Sequence, residues 1–178
     1  MKTYLASELF LEKLHTNDPL NLLNIEFSLE SHKDTFQGPG LYFMYYEKEL
    51  VYIGYFFGSE KKDVRKERWT KELETISMRG RRVGFNETSF RELQKSKNIN
   101  INKPKIKDTG CVTSKKRIQF ADKNWAVLSQ HPNSWLHQFS FTWIPNTTKR
   151  TEMELQNVTN TLIEFYKPTC NGKKHKLY

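Results

Sequence analysis

Two short runs of apolar and aromatic residues near position 47 have the pattern of paired β-strands. They cover 41–46 and 49–55, with a polar turn at Glu47, and together they predict a β-hairpin. Directly opposed residues of an antiparallel pair point to the same face. A hairpin centred on Glu47 therefore places Tyr42 opposite Tyr52, with the two phenols converging on one spot.

Packing alone is a second explanation for these tyrosines, because aromatic residues are favoured in strands. Tyr45 and Tyr55 have the other parity and are expected to be packing residues. Gly54 leaves the face beyond Tyr52 without a side chain, and a glycine inside a strand often marks close approach by another group.

The remaining periodic segments predict helices and one more strand. They are an N-terminal helix with Leu5, Leu9 and Leu14 near one side, a helix over 61–78, a helix over 114–130, a strand through Phe139, Phe141 and Trp143 to Pro145, and a last helix from about Thr147 to Tyr166. Residues 17–38 have the character of a loop.

These elements predict an α/β (α+β) fold, with a small three-stranded antiparallel or mixed sheet flanked by helices. A length of 178 residues without internal repeats is typical of one domain. We expect an N-terminal extension over 1–38, a core formed by 39–82 and 139–171, and a basic insertion over 83–138.

The net charge of +9 is concentrated in the predicted insertion. Residues 91–117 hold nine basic residues against two acidic ones, an excess of +7. Clustered positive charge suits a polyanion such as nucleic acid, although a solvated lysine-rich loop has the same composition.

Other features exclude several classes of protein. No apolar run approaches the ~20 residues that span a bilayer. Glu8 and Glu12 interrupt the apolar N-terminus, which a secretory signal would not tolerate. Two cysteines are too few for a disulfide framework or a cysteine-ligated zinc site. We therefore expect no membrane partner and a cytoplasmic location.

Two three-residue motifs in the hairpin resemble the paired motif of the GIY-YIG nuclease superfamily. They are Gly40-Leu41-Tyr42 and Tyr52-Ile53-Gly54. Arg68-Trp69 is similar to the family's arginine followed by an aromatic residue, and a late helix with a glutamate, then Pro168 and Asn171, resembles its closing element. The resemblance covers 40–79 and 139–171.

The resemblance implies a metal-dependent endonuclease that hydrolyses phosphodiester bonds in double-stranded DNA. Tyr42 would be the base or the water-orienting phenol, Tyr52 would lie beside it on the phosphate, and Arg68 would neutralise the transition state. Glu154 would hold a single Mg²⁺ or Mn²⁺ ion. Recognition built into core insertions is most like the restriction-endonuclease branch, so a type II enzyme and a possible homodimer are expected. A structure-specific repair or mobile-element nuclease, or an inactive nucleic-acid-binding protein of the same fold, are the alternatives.

Several roles stay open at this point. Arg65 is the reserve for Arg68, and Glu152 is the reserve for Glu154. The family's glutamate usually lies about where this chain has Thr159, more than one helical turn later than Glu154. Glu72 stands where many members carry a histidine, so it is a supporting residue or the i,i+4 ion-pair partner of Arg68.

Asn171 would be either a structural amide or one that faces the phosphate. The expected DNA contacts are basic residues after the arginine helix and in the insertion. They are Arg79, Arg81, Arg82, Lys103, Lys105, Lys107, Lys115, Lys116 and Arg117.

Overall fold

The structure is a computed structural model that describes residues 2–14, 25–29, 35–78, 114–128, 130 and 133–172. Its strands are β1 (Thr3–Leu5), β2 (Phe10–Leu14), β3 (Ile25–Leu29), β4 (Gly40–Tyr46), β5 (Glu49–Phe56) and β6 (Phe139–Pro145). Its helices are α1 (Ala6–Leu9), α2 (Thr70–Ser77), α3 (Lys115–Lys123), α4 (Trp125–Leu128) and α5 (Glu152–Tyr166). A π-helical turn, Arg65–Trp69, leads into α2, and a 3₁₀ turn, Ser134–Gln138, precedes β6.

The strands form two antiparallel sheets, so the predicted α+β class is confirmed at this level. The larger sheet has the order β1-β6-β4-β5, and the smaller one pairs β2 with β3. The hairpin, the third strand β6 and the last helix were all predicted. The sheet has four strands rather than three, because β1 pairs with β6.

The prediction of an N-terminal helix is wrong for most of its length. Only Ala6–Leu9 is helical, and strands β1 and β2 lie on either side of it. Glu12 is 3% exposed on β2, where its carboxylate accepts a hydrogen bond of 2.8 Å from the indole N–H of Trp135. The alternation of Ile25, Phe27 and Leu29, predicted as loop, forms the partner strand β3. Tertiary pairing thus overrode the helical spacing of the leucines.

Strand alternation divides the main sheet into two buried faces. Tyr42 and Met44 of β4 pack with Trp69 and Phe141 in the larger apolar core, where Trp69 and Phe141 stack with their ring centroids 4.4 Å apart. Residues of the other parity, such as Phe43 and Ile53, are also buried but lie outside that cluster. Since α5 contacts β5 and β4 and buries Leu155, it covers this second face.

Helix boundaries follow local capping. Helix α5 begins after Thr151, whose hydroxyl accepts from the Glu154 N–H, rather than at the predicted Thr147-Thr148. The helix predicted over 114–130 is interrupted at Asn124, between α3 and α4. No helix in the described part of the chain is both long enough and apolar enough to cross a membrane.

The geometry of the hairpin turn leads to a prediction about stability. Glu47 and Lys48 both have positive φ, 48° and 70°, as a two-residue type I′ turn requires. Replacing Lys48 by glycine removes the left-handed cost of a side chain and should raise the free energy of unfolding by about 0.5 kcal/mol, measured by urea unfolding. Lys66→Gly, in the π-helical turn, is the matched control and should lower it by about 1 kcal/mol. Equal destabilisation by both variants would contradict the turn assignment.

Candidate functional site

The hairpin register differs from the predicted one by two residues. Tyr42 pairs with Gly54, and Met44 pairs with Tyr52, so the expected direct opposition of Tyr42 and Tyr52 is wrong. One residue of the shift comes from the two-residue turn, and the other comes from an irregularity between Met44 and Tyr45. An even shift keeps each side chain on its face. The prediction that Tyr42 and Tyr52 share a face is therefore confirmed.

The two phenol rings lie side by side within the core. Their centroids are 6.1 Å apart with an interplanar angle of 36°. The ring of Tyr42 lies across Gly54, where a Cβ atom would collide with it. The close approach expected at this glycine is thus made by Tyr42 itself. The exposed fractions are 1% for Tyr42 and 5% for Tyr52, so neither phenol faces solvent in this conformation.

A chain of polar contacts joins the phenols to two helices. The hydroxyl of Tyr42 donates to Glu72 Oε1 on α2 at 3.2 Å, and Glu72 Oε2 forms an ion pair of 2.6 Å with Arg117 on α3. The guanidinium of Arg117 also donates to the Thr75 hydroxyl and lies 4.8 Å from the ring centroid of Tyr52. These contacts bring together residues that are 45 positions apart in sequence, Glu72 and Arg117.

Burial keeps both phenols protonated. It raises the pKa of Tyr42 well above its usual value, and the charge of Glu72 raises it further, against the opposing effect of Arg68 and Arg117. The same causes raise the pKa of Tyr52. Burial acts to lower the pKa of Arg117, but Glu72 and Tyr52 outweigh it and the net shift is upward. The site thus holds a charged pair beside two neutral phenols.

The two candidate arginines differ in exposure and in partners. Arg65 is 2% exposed, pairs with Asp63 at 2.6 Å, and lies 4.8 Å from the ring centroid of Phe36. Its contacts are those of a structural residue. Arg68 is exposed, and its positive charge acts to lower the pKa of Tyr42 and Tyr52. Of the two, Arg68 is therefore the one available to an incoming phosphate.

Glu154 lies in a capping box at the N-terminus of α5. Its carboxylate accepts from the backbone N–H of Thr151 at 2.7 Å and from the Thr151 hydroxyl at 2.8 Å, and these bonds lower the pKa of Glu154. Burial raises the pKa of Tyr55 on the hairpin, and the charge of Glu152 adds to that effect. Thr159, at the position where the resemblance implies a glutamate, is buried, and its hydroxyl donates to the Leu155 carbonyl.

These carboxylates do not form a multidentate metal site. Among the described residues, no group of three His, Cys, Asp or Glu side chains converges. Glu72 is the carboxylate in contact with Tyr42, and it is already paired with Arg117. The role of Glu154 as a metal ligand stays a prediction.

Asn171 is a structural residue that completes the free edge of β5. Its side-chain amide donates to the Ile53 carbonyl at 2.8 Å and accepts from the Ile53 N–H at 2.8 Å. The adjacent N–H of Cys170 donates to the Val51 carbonyl at 2.8 Å. Burial raises the pKa of the Cys170 thiol to about 12. Asn171 thus satisfies backbone groups that would otherwise remain unpaired at the sheet edge.

The predicted DNA contacts fall into three groups. Lys116 is exposed on α3, as a phosphate contact requires. Arg117 instead has only 15% of its side chain exposed and lies within the site. Lys115 lies in α3, but its side chain is outside the described part of the structure. The remaining predicted contacts lie outside the described residues altogether, and they are Arg79, Arg81, Arg82, Lys103, Lys105 and Lys107.

The position of Arg117 in the site is the main feature that sequence reasoning missed. Arg117 precedes the buried Ala121 by four residues, so both share one face of α3. That spacing indicated that Arg117 lies on the buried face of α3. Arg117 also belongs to a dense run of basic residues, however, and was therefore predicted to contact DNA. Glu72 was predicted to be either a supporting residue or the i,i+4 partner of Arg68, whereas its ion-pair partner comes from α3. Comparison with known proteins adds no relative: no family model, curated protein or solved structure matches the chain.

The buried ion pair makes a prediction about stability. Glu72→Gln leaves the guanidinium of Arg117 without its counter-charge and should lower the free energy of unfolding by about 3 kcal/mol. Adding Arg117→Met removes the stranded charge, so the double variant should recover part of that loss. A double-mutant cycle by urea unfolding measures the coupling. Additive losses from the two single variants would mean that the pair does not couple α2 to α3.

The protonated phenols predict alkaline sensitivity. Tyrosine in the unfolded chain titrates near ~10. The raised pKa values in the folded protein mean that the unfolded state releases protons first as the pH rises. The stabilising contribution is therefore complete below pH ~10 and declines above it. Urea unfolding between pH 8 and 11 should show this decline, and Tyr52→Phe should make it shallower than Tyr45→Phe does. Identical slopes in the two variants would contradict it.

Proposed function

We propose that this protein is an endonuclease of the GIY-YIG type that hydrolyses phosphodiester bonds in double-stranded DNA. The observation that carries the proposal is the pair of phenols Tyr42 and Tyr52. They lie on one face of the hairpin, with their ring centroids 6.1 Å apart. The guanidinium of Arg117 lies over Tyr52, and Arg68 is exposed close by. Phenols beside cations are the groups that the resemblance assigns to water and phosphate.

The protonation of the phenols favours one of the two roles considered for Tyr42. With its pKa raised, the phenol does not ionise near neutral pH and is a poor base. Its hydroxyl donates a hydrogen bond to Glu72, which leaves the oxygen lone pairs to accept a hydrogen bond from water. We therefore assign Tyr42 the orientation of the attacking water, and Arg68 the neutralisation of charge that develops on the phosphate.

Access requires the site to open. Because Tyr42 is 1% exposed and Tyr52 5% exposed, a phosphate reaches them only when a covering side chain moves. Arg117 covers Tyr52 and pairs with Glu72. A DNA phosphate competes with Glu72 for the same guanidinium donors, so binding of DNA and opening of the site are coupled in this proposal.

Mg²⁺ or Mn²⁺ is the proposed cofactor, and it would supply positive charge for the leaving oxygen. Glu154 is retained as the expected ligand, but the capping box already accounts for its conformation. Glu152 is the alternative ligand, and its charge adds to the burial that raises the pKa of Tyr55 on the hairpin. A single carboxylate is sufficient for Mg²⁺, which keeps most of its waters.

Within this function we propose a type II restriction-type enzyme in the cytoplasm, acting as a homodimer or by sequential nicking. A structure-specific repair or mobile-element nuclease is the related alternative. One observation favours a different function, that of a nucleic-acid-binding protein without catalysis. Thr159 stands where the resemblance implies the metal-binding glutamate, and its hydroxyl is bonded to its own helix.

Incubation of plasmid DNA with Mg²⁺, and in parallel with EDTA, tests the proposal. Discrete fragments that form only with Mg²⁺ are expected. Tyr42→Phe and Arg68→Ala should each reduce the cleavage rate about 100-fold, the usual effect of losing one stabilising donor at a reacting centre. Tyr45→Phe is the matched control on the other face of the hairpin and should cleave normally. Salt-sensitive binding without cleavage would overturn the nuclease proposal in favour of the binding protein, and cutting confined to branched DNA would favour the repair alternative.

Two variants, each replacing a glutamate by uncharged glutamine, identify the metal ligand. Glutamine is acceptable at the N3 position of a capping box, so Glu154→Gln removes the carboxylate charge and keeps the helix cap. Glu152→Gln removes the neighbouring carboxylate. The ligand is the residue whose variant raises the Mg²⁺ concentration needed for half-maximal cleavage. If neither variant changes it, both assignments are wrong.

A further inference from the structure

A groove distinct from the tyrosine site lies at the turn end of the hairpin. One wall is the exposed face of α3, the second is the hairpin turn, and the third is the segment 167–169 that follows α5. The cavity has a volume of about 560 Å³. Its floor is apolar and formed by buried Tyr46, Phe120 and Pro168. The volume is within the range of sites for small ligands, and the walls around the apolar floor are polar.

Positive charge is concentrated on two of the walls. Lys116 and Lys123, on α3, and Lys167, after α5, all line the groove and are exposed. None of the ion pairs between described residues involves these three lysines. Lysine ammonium groups are common phosphate ligands, and here they converge on one cavity.

Negative charge is confined to the wall formed by the hairpin turn. Glu47 and Glu49 line the groove there, opposite the lysine-bearing helix. A carboxylate would repel a phosphate, but it accepts hydrogen bonds from an exocyclic amino group such as the N4 amine of cytosine. The groove is therefore polarised, with a cationic end for an anion and an acceptor end for an amine.

Tyr46 adds an unsatisfied group at the boundary between floor and turn. Its ring is 4% exposed, and its hydroxyl is buried without a hydrogen-bond partner among the described residues. Buried hydroxyl groups are normally paired, so an orphaned one needs an explanation such as a ligand or an ordered water. The groove beside it offers room for either.

We propose that this groove binds a single nucleotide, with its phosphate on Lys116, Lys123 and Lys167 and an amino-bearing base against Glu47 and Glu49. A nucleotide combines the three features that the groove separates, namely an anion, an apolar ring and an exocyclic amine. The site is separate from the phenol pair but shares α3 with it, because Arg117 reaches Tyr52 while the adjacent Lys116 lines the groove. The proposal does not depend on cleavage of DNA.

Isothermal titration of the full chain with cytidine 5′-monophosphate tests the groove. Uridine 5′-monophosphate, which lacks the amine, should bind about tenfold more weakly, the usual effect of one hydrogen bond to a charged group. The double variant Lys116→Gln/Lys123→Gln should weaken binding of cytidine 5′-monophosphate at least tenfold. Lys61→Gln, an exposed lysine outside the groove, is the control and should bind like the parent protein.

The outcomes separate the parts of the proposal. Absence of binding at millimolar nucleotide, or equal binding by the double variant and the control, overturns it. Equal affinity for the two nucleotides contradicts the role of the carboxylates, and equal affinity for inorganic phosphate contradicts a nucleotide ligand. Tyr46→Phe removes the orphaned hydroxyl and should weaken nucleotide binding without lowering thermal stability. DNA cleavage measured on the same variants reports on the nuclease proposal independently.

Discussion

The carboxylate of Glu72 is the constraint on which the arrangement of the site depends. It lies on α2, accepts a hydrogen bond from Tyr42 on β4, and pairs with Arg117 on α3. A carboxylate removed from water in this way is costly unless a cation and hydrogen bonds compensate for the lost solvation. Helices α2 and α3 therefore have to assemble together, because either one alone leaves a buried charge without its partner, and the hairpin joins them through the hydrogen bond from Tyr42. This requirement ties a helix at the end of the basic segment to the sheet.

The same pair acts on the protonation of Tyr42. Burial and the charge of Glu72 raise the pKa of Tyr42, and Arg68 and Arg117 oppose them only in part, so the phenol remains neutral. In the proposed function, a phosphate that draws Arg117 away would leave Glu72 uncompensated next to Tyr42. Because Arg117 acts to lower the pKa of Tyr42 and Glu72 acts to raise it, the phenol would stay neutral after this opening. Opening would therefore admit water to a neutral phenol, in keeping with the water-orienting role proposed for Tyr42.

Local sequence signals predicted the hairpin, β6 and the last helix. Contacts between residues far apart in the sequence were not predicted. The hairpin, β6 and the last helix follow from alternation, turn residues and periodicity, all of which act within a few residues. The face shared by Tyr42 and Tyr52 was predicted for a partly wrong reason, since the register is displaced by an even number of residues. The N-terminal strands and the Arg117–Glu72 pair depend on partners at least ten residues away, which no periodic pattern encodes.

The end of the site near α5 shows how two signals can compete for one residue. Thr151 and Glu154 have the spacing of a capping box, and the structure contains that box. A glutamate that the helix terminus already requires gives no independent indication of a metal ligand. Glu152 has no such role in the cap. In the proposed function Glu152 is therefore the alternative ligand, and both glutamates lie earlier in α5 than Thr159, the position that the resemblance favours.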